Sequence, residues 1–117
     1  MGEVCGAVVA GIMAIGLVYG REKFDEKANA HHDPVYLECR KRGRYLCEKF
    51  RREFGYLTCR DIKYKMRGIY LFEPSKAEPT AQDWANQDKN HDKCGEVCGK
   101  AARLAAEAII EPTITLP

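Results

Sequence analysis

The chain has 117 residues, 45% of them hydrophobic and 31% charged, with a formal net charge of +2. That length sets one domain with a modest core, and the composition excludes a disordered or collagen-like chain. A charge so near neutrality argues against nucleic acid as a partner.

The six cysteines are more than an ordinary cytosolic domain needs. They fit either a secreted disulfide framework or a reducing cytoplasm with thiol or metal chemistry. The second is the expectation. The first apolar segment follows Glu3 rather than a basic stretch, and no small-residue cleavage site stands after it.

The first predicted helix runs from about Glu3 to Tyr19 and stops at Gly20. It puts Cys5 in its first turn, where unpaired N–H groups and the helix dipole favour a thiolate over a thiol. The uncharged run from Val4 to Gly20 is at the lower limit for a membrane span, which takes about 20 residues. A buried core helix is the expected reading. Gly6, Gly11, Gly16 and Gly20 suit close helix packing.

Residues 21–33 read as a polar loop, with the adjacent His31 and His32 on its solvated side. Asp33 as N-cap and Pro34 in the first turn then start a second helix, Val35 to Phe54. Tyr36, Cys39, Gly43, Leu46, Cys47, Phe50 and Phe54 recur at steps of three and four and make its apolar face. Cys39 and Cys47 on that face read as small buried hydrophobes. The basic residues opposite, interrupted by Glu38, Glu48 and Glu53 and without an aromatic platform, read as a solvated face. Gly55 ends the helix.

Thr58 with Asp61 three residues on resembles a capping box for a short third helix, which Gly68 closes. Cys59 becomes its first residue. Residues 70–90 hold Pro74 and Pro79 and read as a long loop, with one helical turn at 79–84 and Trp84 as its anchor. The last helix starts near Asn90 or Asp92 and ends about Ile110, before Pro112 and a tail over 111–117. Cys94, Cys98, Ala101, Ala105 and Ala108 form a small-residue face for the glycine-rich first helix. The sum is a single all-α domain over 1–117, a bundle of about four helices with the long loop before the last.

Cys5, Cys59 and Cys94 each fall in the first turn of a predicted helix, and Cys98 lies one turn below Cys94. If those helix starts converge, their sulfurs meet at one end of the bundle. Gathered thiolates suit thiol–disulfide exchange, or the binding of an iron–sulfur cluster or zinc. Cys94 and Cys98, four apart on a helix, are poorly directed for a mutual disulfide. His91, Cys94 and Cys98 share a face at ligand spacing. No Cys-x-x-Cys pair, phosphate-binding loop or nucleophile elbow is present.

Gly2-Glu3-Val4-Cys5-Gly6-Ala7-Val8, followed by Met13, Gly16, Tyr19 and Gly20, resembles the central motif of the C_GCAxxG_C_C family, small bacterial and archaeal proteins described as redox-active. Phe54-Gly55 with Thr58-Cys59-Arg60-Asp61 resembles the family's second cysteine region. Cys98 with Arg103, Ala105, Glu107 and Ile109 resembles its closing helix. Two departures stand out. Ala10 occupies a position where the motif has glycine, and the family's upstream cysteine helix has no counterpart before Gly2. Cys39, Cys47 or Cys94 are the candidates to replace the missing sulfur, and the uncovered side of the first helix favours a homodimer.

The resemblance implies redox or metal chemistry. The expectation is a cytoplasmic cysteine-based redox or electron-transfer protein with an unidentified redox partner protein. The expected roles are Cys5 and Cys59 as activated thiolates, Arg60 holding Cys59 ionised, and Cys98 as the resolving partner or a shared cluster ligand. The alternative is a non-enzymatic module in which zinc is held by Cys5, Cys59, Cys98 and Cys94 or His91. A third reading is a helical interaction protein with merely buried cysteines.

Overall fold

The computed structural model describes residues 3–23, 32–67, 81–82, 85 and 91–117. Among these, four helices form a small all-α bundle: α1 (Gly6–Tyr19), α2 (Pro34–Phe54), α3 (Cys59–Arg67) and α4 (His91–Ile110). α1, α2 and α4 pack against one another around Val8, Ile15, Leu46, Phe50, Leu104 and Ala108.

α1 begins at Gly6, not at Glu3, because the preceding residues are used differently. Val4 pairs with Thr58 in an isolated antiparallel bridge. The Cys5 N–H donates to the Leu57 carbonyl at 2.8 Å, and the Cys59 N–H donates to the Glu3 carbonyl at 2.7 Å. Backbone groups expected in a helical turn are thus satisfied across the chain. Cys5 becomes the N-cap, with non-helical backbone and no side-chain capping bond.

At the other end, Gly20 donates its N–H to the Gly16 carbonyl at 2.8 Å but has φ −74°, not the left-handed cap expected from its sequence. A Cβ there would collide with the Gly16 carbonyl. Of the remaining α1 glycines, only Gly11 marks a close approach. A Cβ on it would come within 2.7 Å of Leu46 Cδ2 and 3.2 Å of Ala105 Cβ, while Gly6 and Gly16 face open space. Val9, Ile12, Met13, Leu17 and Val18 are exposed, Leu17 at 88%. No helix among the described residues is long and apolar enough to cross a membrane.

α2 has the predicted ends. The Asp33 carboxylate accepts from the Val35 N–H at 3.0 Å, Pro34 occupies the first turn, and Gly55 adopts the left-handed conformation at φ 84°. Arg21 forms an ion pair with the same Asp33, tying the end of the α1 connection to the start of α2.

The surprise on α2 is Arg42, only 2% exposed. Its guanidinium donates to the carbonyls of Ala108 and Glu111, both at 2.7 Å, and of Pro112 at 3.1 Å. Glu38 pairs with it at 2.7 Å, and the Tyr19 ring lies 4.1 Å away. The Tyr19 hydroxyl donates to the Ile109 carbonyl at 2.6 Å. The last carbonyls of a helix have no intrahelical partner. Two of those of α4, at Ala108 and Ile109, are met by side chains from α2 and α1, which lock three helices at this end.

In α3, Thr58 and Asp61 do pair, but as a side-chain to side-chain hydrogen bond in which the hydroxyl donates to the carboxylate. Gly68, Pro74, Pro79 and Trp84 lie outside the described residues. On α4 the buried stripe is Val97, Ala101, Leu104, Ala105 and Ala108. Cys98 was expected in that stripe. It stands at the stripe's edge and is exposed, because Val97 and Leu104 centre the face one step away.

Candidate cysteine site

The Val4–Thr58 bridge builds the site. Side chains alternate across an extended pair. Cys5 and Cys59, the residues immediately after Val4 and Thr58, line the same space beside the bridge. Each then sits at the start of its helix, Cys5 as the N-cap of α1 and Cys59 as the first residue of α3. α4 supplies the third wall, with Cys94 and Cys98 one turn apart.

These elements enclose a cavity of about 260 Å³ lined by Cys5, Gly6, Ala7, Cys59, Ile62, Lys63, Met66, Cys94, Val97 and Cys98. The expected convergence of Cys5, Cys59, Cys94 and Cys98 is therefore present. Cys5, Cys59 and Cys94 are half-buried and Cys98 is exposed. All six cysteines are present as thiols.

The remaining sequence candidates fall elsewhere. Cys39 and Cys47 pack against the core from α2. Burial pushes the Cys47 thiol up from its ordinary pKa, with Arg51 opposing and Glu48 adding to the shift. That suits an inert thiol rather than a nucleophile. Arg60 is exposed and does not line the cavity. Among the described residues, Lys63 lines it instead, a residue the sequence alone did not single out. Its signal was the four-residue spacing from Cys59, which puts both on one face of α3.

His91 is the first residue of α4, and its side chain lies outside the described set. Among the described residues, no three of His, Cys, Asp or Glu are close enough to hold one metal ion. The four cavity thiols are the donor type that zinc or an iron–sulfur cluster takes.

A second, shallower groove runs between α1 and α4 and is lined by Ala7, Ala10, Gly11, Ala14, Cys98, Ala102, Ala105, Ala106 and Ile109. Ala7 and Cys98 border both spaces. Cys98 is thus open to solvent on one side and to the other thiols on the other.

No curated protein and no solved structure is significantly similar to the chain. A family model described as "Putative redox-active protein (C_GCAxxG_C_C)" matches residues 1–108. That span holds all six cysteines, including the four whose thiols share the cavity, and the chain belongs to the C_GCAxxG_C_C family.

Proposed function

We propose that the protein is a thiol–disulfide redox protein acting through the cysteine cavity. The observation that carries this reading is the grouping of Cys5, Cys59, Cys94 and Cys98, from three separate elements, around one space. Exposure orders their roles. Cys98 meets an outside disulfide first, because it alone of the four is exposed. Its thiolate attacks one sulfur of the incoming disulfide, forming a mixed disulfide and releasing one thiolate. Cys5, across the α1–α4 contact, attacks Cys98 Sγ. The Cys5–Cys98 disulfide forms and the second thiolate leaves. Two electrons pass to the outside disulfide, and the protons of Cys5 and Cys98 end on the two released thiolates. Cys59 and Cys94 remain as auxiliary thiols on the same cavity.

Electron transfer through an iron–sulfur cluster, and a structural zinc site, are finer readings of the same four sulfurs. Thiol exchange is the reading carried forward, because Cys98 is exposed to an outside disulfide and also lines the cavity of the other thiols. A reducing cytoplasm suits thiols that cycle in this way. A homodimer is supported by the uncharged, exposed side of α1.

The test is to oxidise the fully reduced protein with a small disulfide and map the linked peptides by mass spectrometry. The expected product is a Cys5–Cys98 link, lost in Cys98→Ser. Oxidation that forms no Cys5–Cys98 link contradicts the proposal.

A further inference from the structure

Thiol exchange alone leaves open what is exchanged, and the cavity walls bear on that. Among the described residues, they are built beside the thiols from Ile62, Met66 and Val97, with Lys63 as the charged lining residue. A peptide disulfide such as oxidised glutathione would bring several charges and amides against these walls. Polar groups left there without partners weaken binding. The space also limits size. At about 260 Å³ it exceeds the ~150 Å³ apolar cavity that admits benzene, which leaves room for a small ring and a short chain.

Lys63 supplies a polar requirement. It is half-buried and follows Cys59 by one turn of α3. A lysine so placed lays its methylene stem along an apolar wall and holds its ammonium at the rim. A group bound with sulfur at the thiols and an anion at the rim satisfies both ends.

We infer that the substrate exchanged at this cavity is a short aliphatic dithiol, or its cyclic disulfide, bearing a single carboxylate. The chain lies against Ile62, Met66 and Val97, and the carboxylate pairs with Lys63. The inference rests on the thiol-exchange reading and names the substrate class for the same cavity. In the reducing direction, one substrate thiolate attacks Cys98 Sγ of the Cys5–Cys98 disulfide. A mixed disulfide forms and Cys5 leaves as a thiolate. The second substrate sulfur then attacks the first. The cyclic disulfide closes and Cys98 is released. Two electrons move from substrate to protein, and the two substrate protons end on Cys5 and Cys98.

The test compares dihydrolipoate with dihydrolipoamide, the same dithiol with and without the carboxylate, as reductants of the oxidised full-length chain. In the unsubstituted protein, kcat/KM is expected to favour the acid by about three- to five-fold, the scale of one partly exposed ion pair. Added salt shrinks that ratio. Lys63→Gln brings it to about one, and Lys63→Arg restores it. Dithiothreitol, a polar dithiol, is expected to react more slowly than either. Equal rates for acid and amide, a preference that survives in Lys63→Gln, or dithiothreitol reacting as fast as dihydrolipoamide overturns the substrate class. A protein in which no Cys5–Cys98 disulfide forms overturns the thiol-exchange reading itself, and peptide mapping separates the two failures.

Discussion

Val4 and Thr58 pair across an isolated antiparallel bridge, and the residue after each is a cysteine at the start of a helix. Two short hydrogen bonds, from the Cys5 N–H to Leu57 and from the Cys59 N–H to Glu3, hold those helix starts side by side. The cavity exists because α1 and α3 are clasped at this point while α4 closes the opposite wall.

The six thiols are expected to separate in reactivity and in pH response. Cys98 reacts first with iodoacetamide at neutral pH, because it is exposed. Cys47 reacts last, because burial raises its pKa. The folded state therefore holds the Cys47 proton to higher pH than the unfolded state does. This contribution to stability is fully present below the unfolded thiol range, at about pH 8.5, and is lost as pH rises through the folded value. Tyr45, raised by burial and by Glu107, acts in the same direction at still higher pH. Urea midpoints are expected to fall from pH 8 to pH 10, with a shallower fall in Cys47→Ala. An equal fall in both proteins would refute this role for Cys47.

Gly11 is the point where α1 meets both of its neighbours. Gly11→Val forces carbon into Leu46 and Ala105 and is expected to cost about 1–3 kcal/mol of stability. The same change at Gly16, which faces open space, lacks that clash. Thermal unfolding of the pair checks the difference.

Removing the Arg42 guanidinium leaves the carbonyls of Ala108, Glu111 and Pro112 without this donor. Arg42→Met is expected to destabilise the fold by about 3 kcal/mol. Arg42→Lys recovers only part of this, since an ammonium cannot reproduce the planar fork. Denaturant titration reads both, and a wild-type midpoint for Arg42→Met would count against the cap.

The proposed homodimer has its own test. Leu17 is 88% exposed on a helix with no charged residue. Leu17→Asp puts a carboxylate on that face and is expected to shift the light-scattering mass from dimer to monomer. An unchanged mass places any self-association elsewhere.

Much of the architecture was legible in local sequence. The ends of α2 follow from Asp33, Pro34 and Gly55, whose capping geometry needs only neighbouring residues. The start of α3 at Cys59 and the end of α4 near Ile110 follow from similar local chemistry. The family was legible as well, because its motif is a run of adjacent residues around Cys5.

Contacts between distant segments were not legible. The Val4–Thr58 bridge shortened α1 through partners more than fifty positions away, and nothing within either segment announces them. Arg42 reads as one more surface cation until the end of α4 presents its unpaired carbonyls. Lys63, not Arg60, borders the thiols because the direction of α3 turns that face toward α4. Local chemistry fixes which residues carry sulfur and where α2 begins and ends, since propensity and capping act between neighbours. That Cys5, Cys59, Cys94 and Cys98 share one apolar space while Cys39 and Cys47 do not depends instead on how the packed helices are turned about their axes.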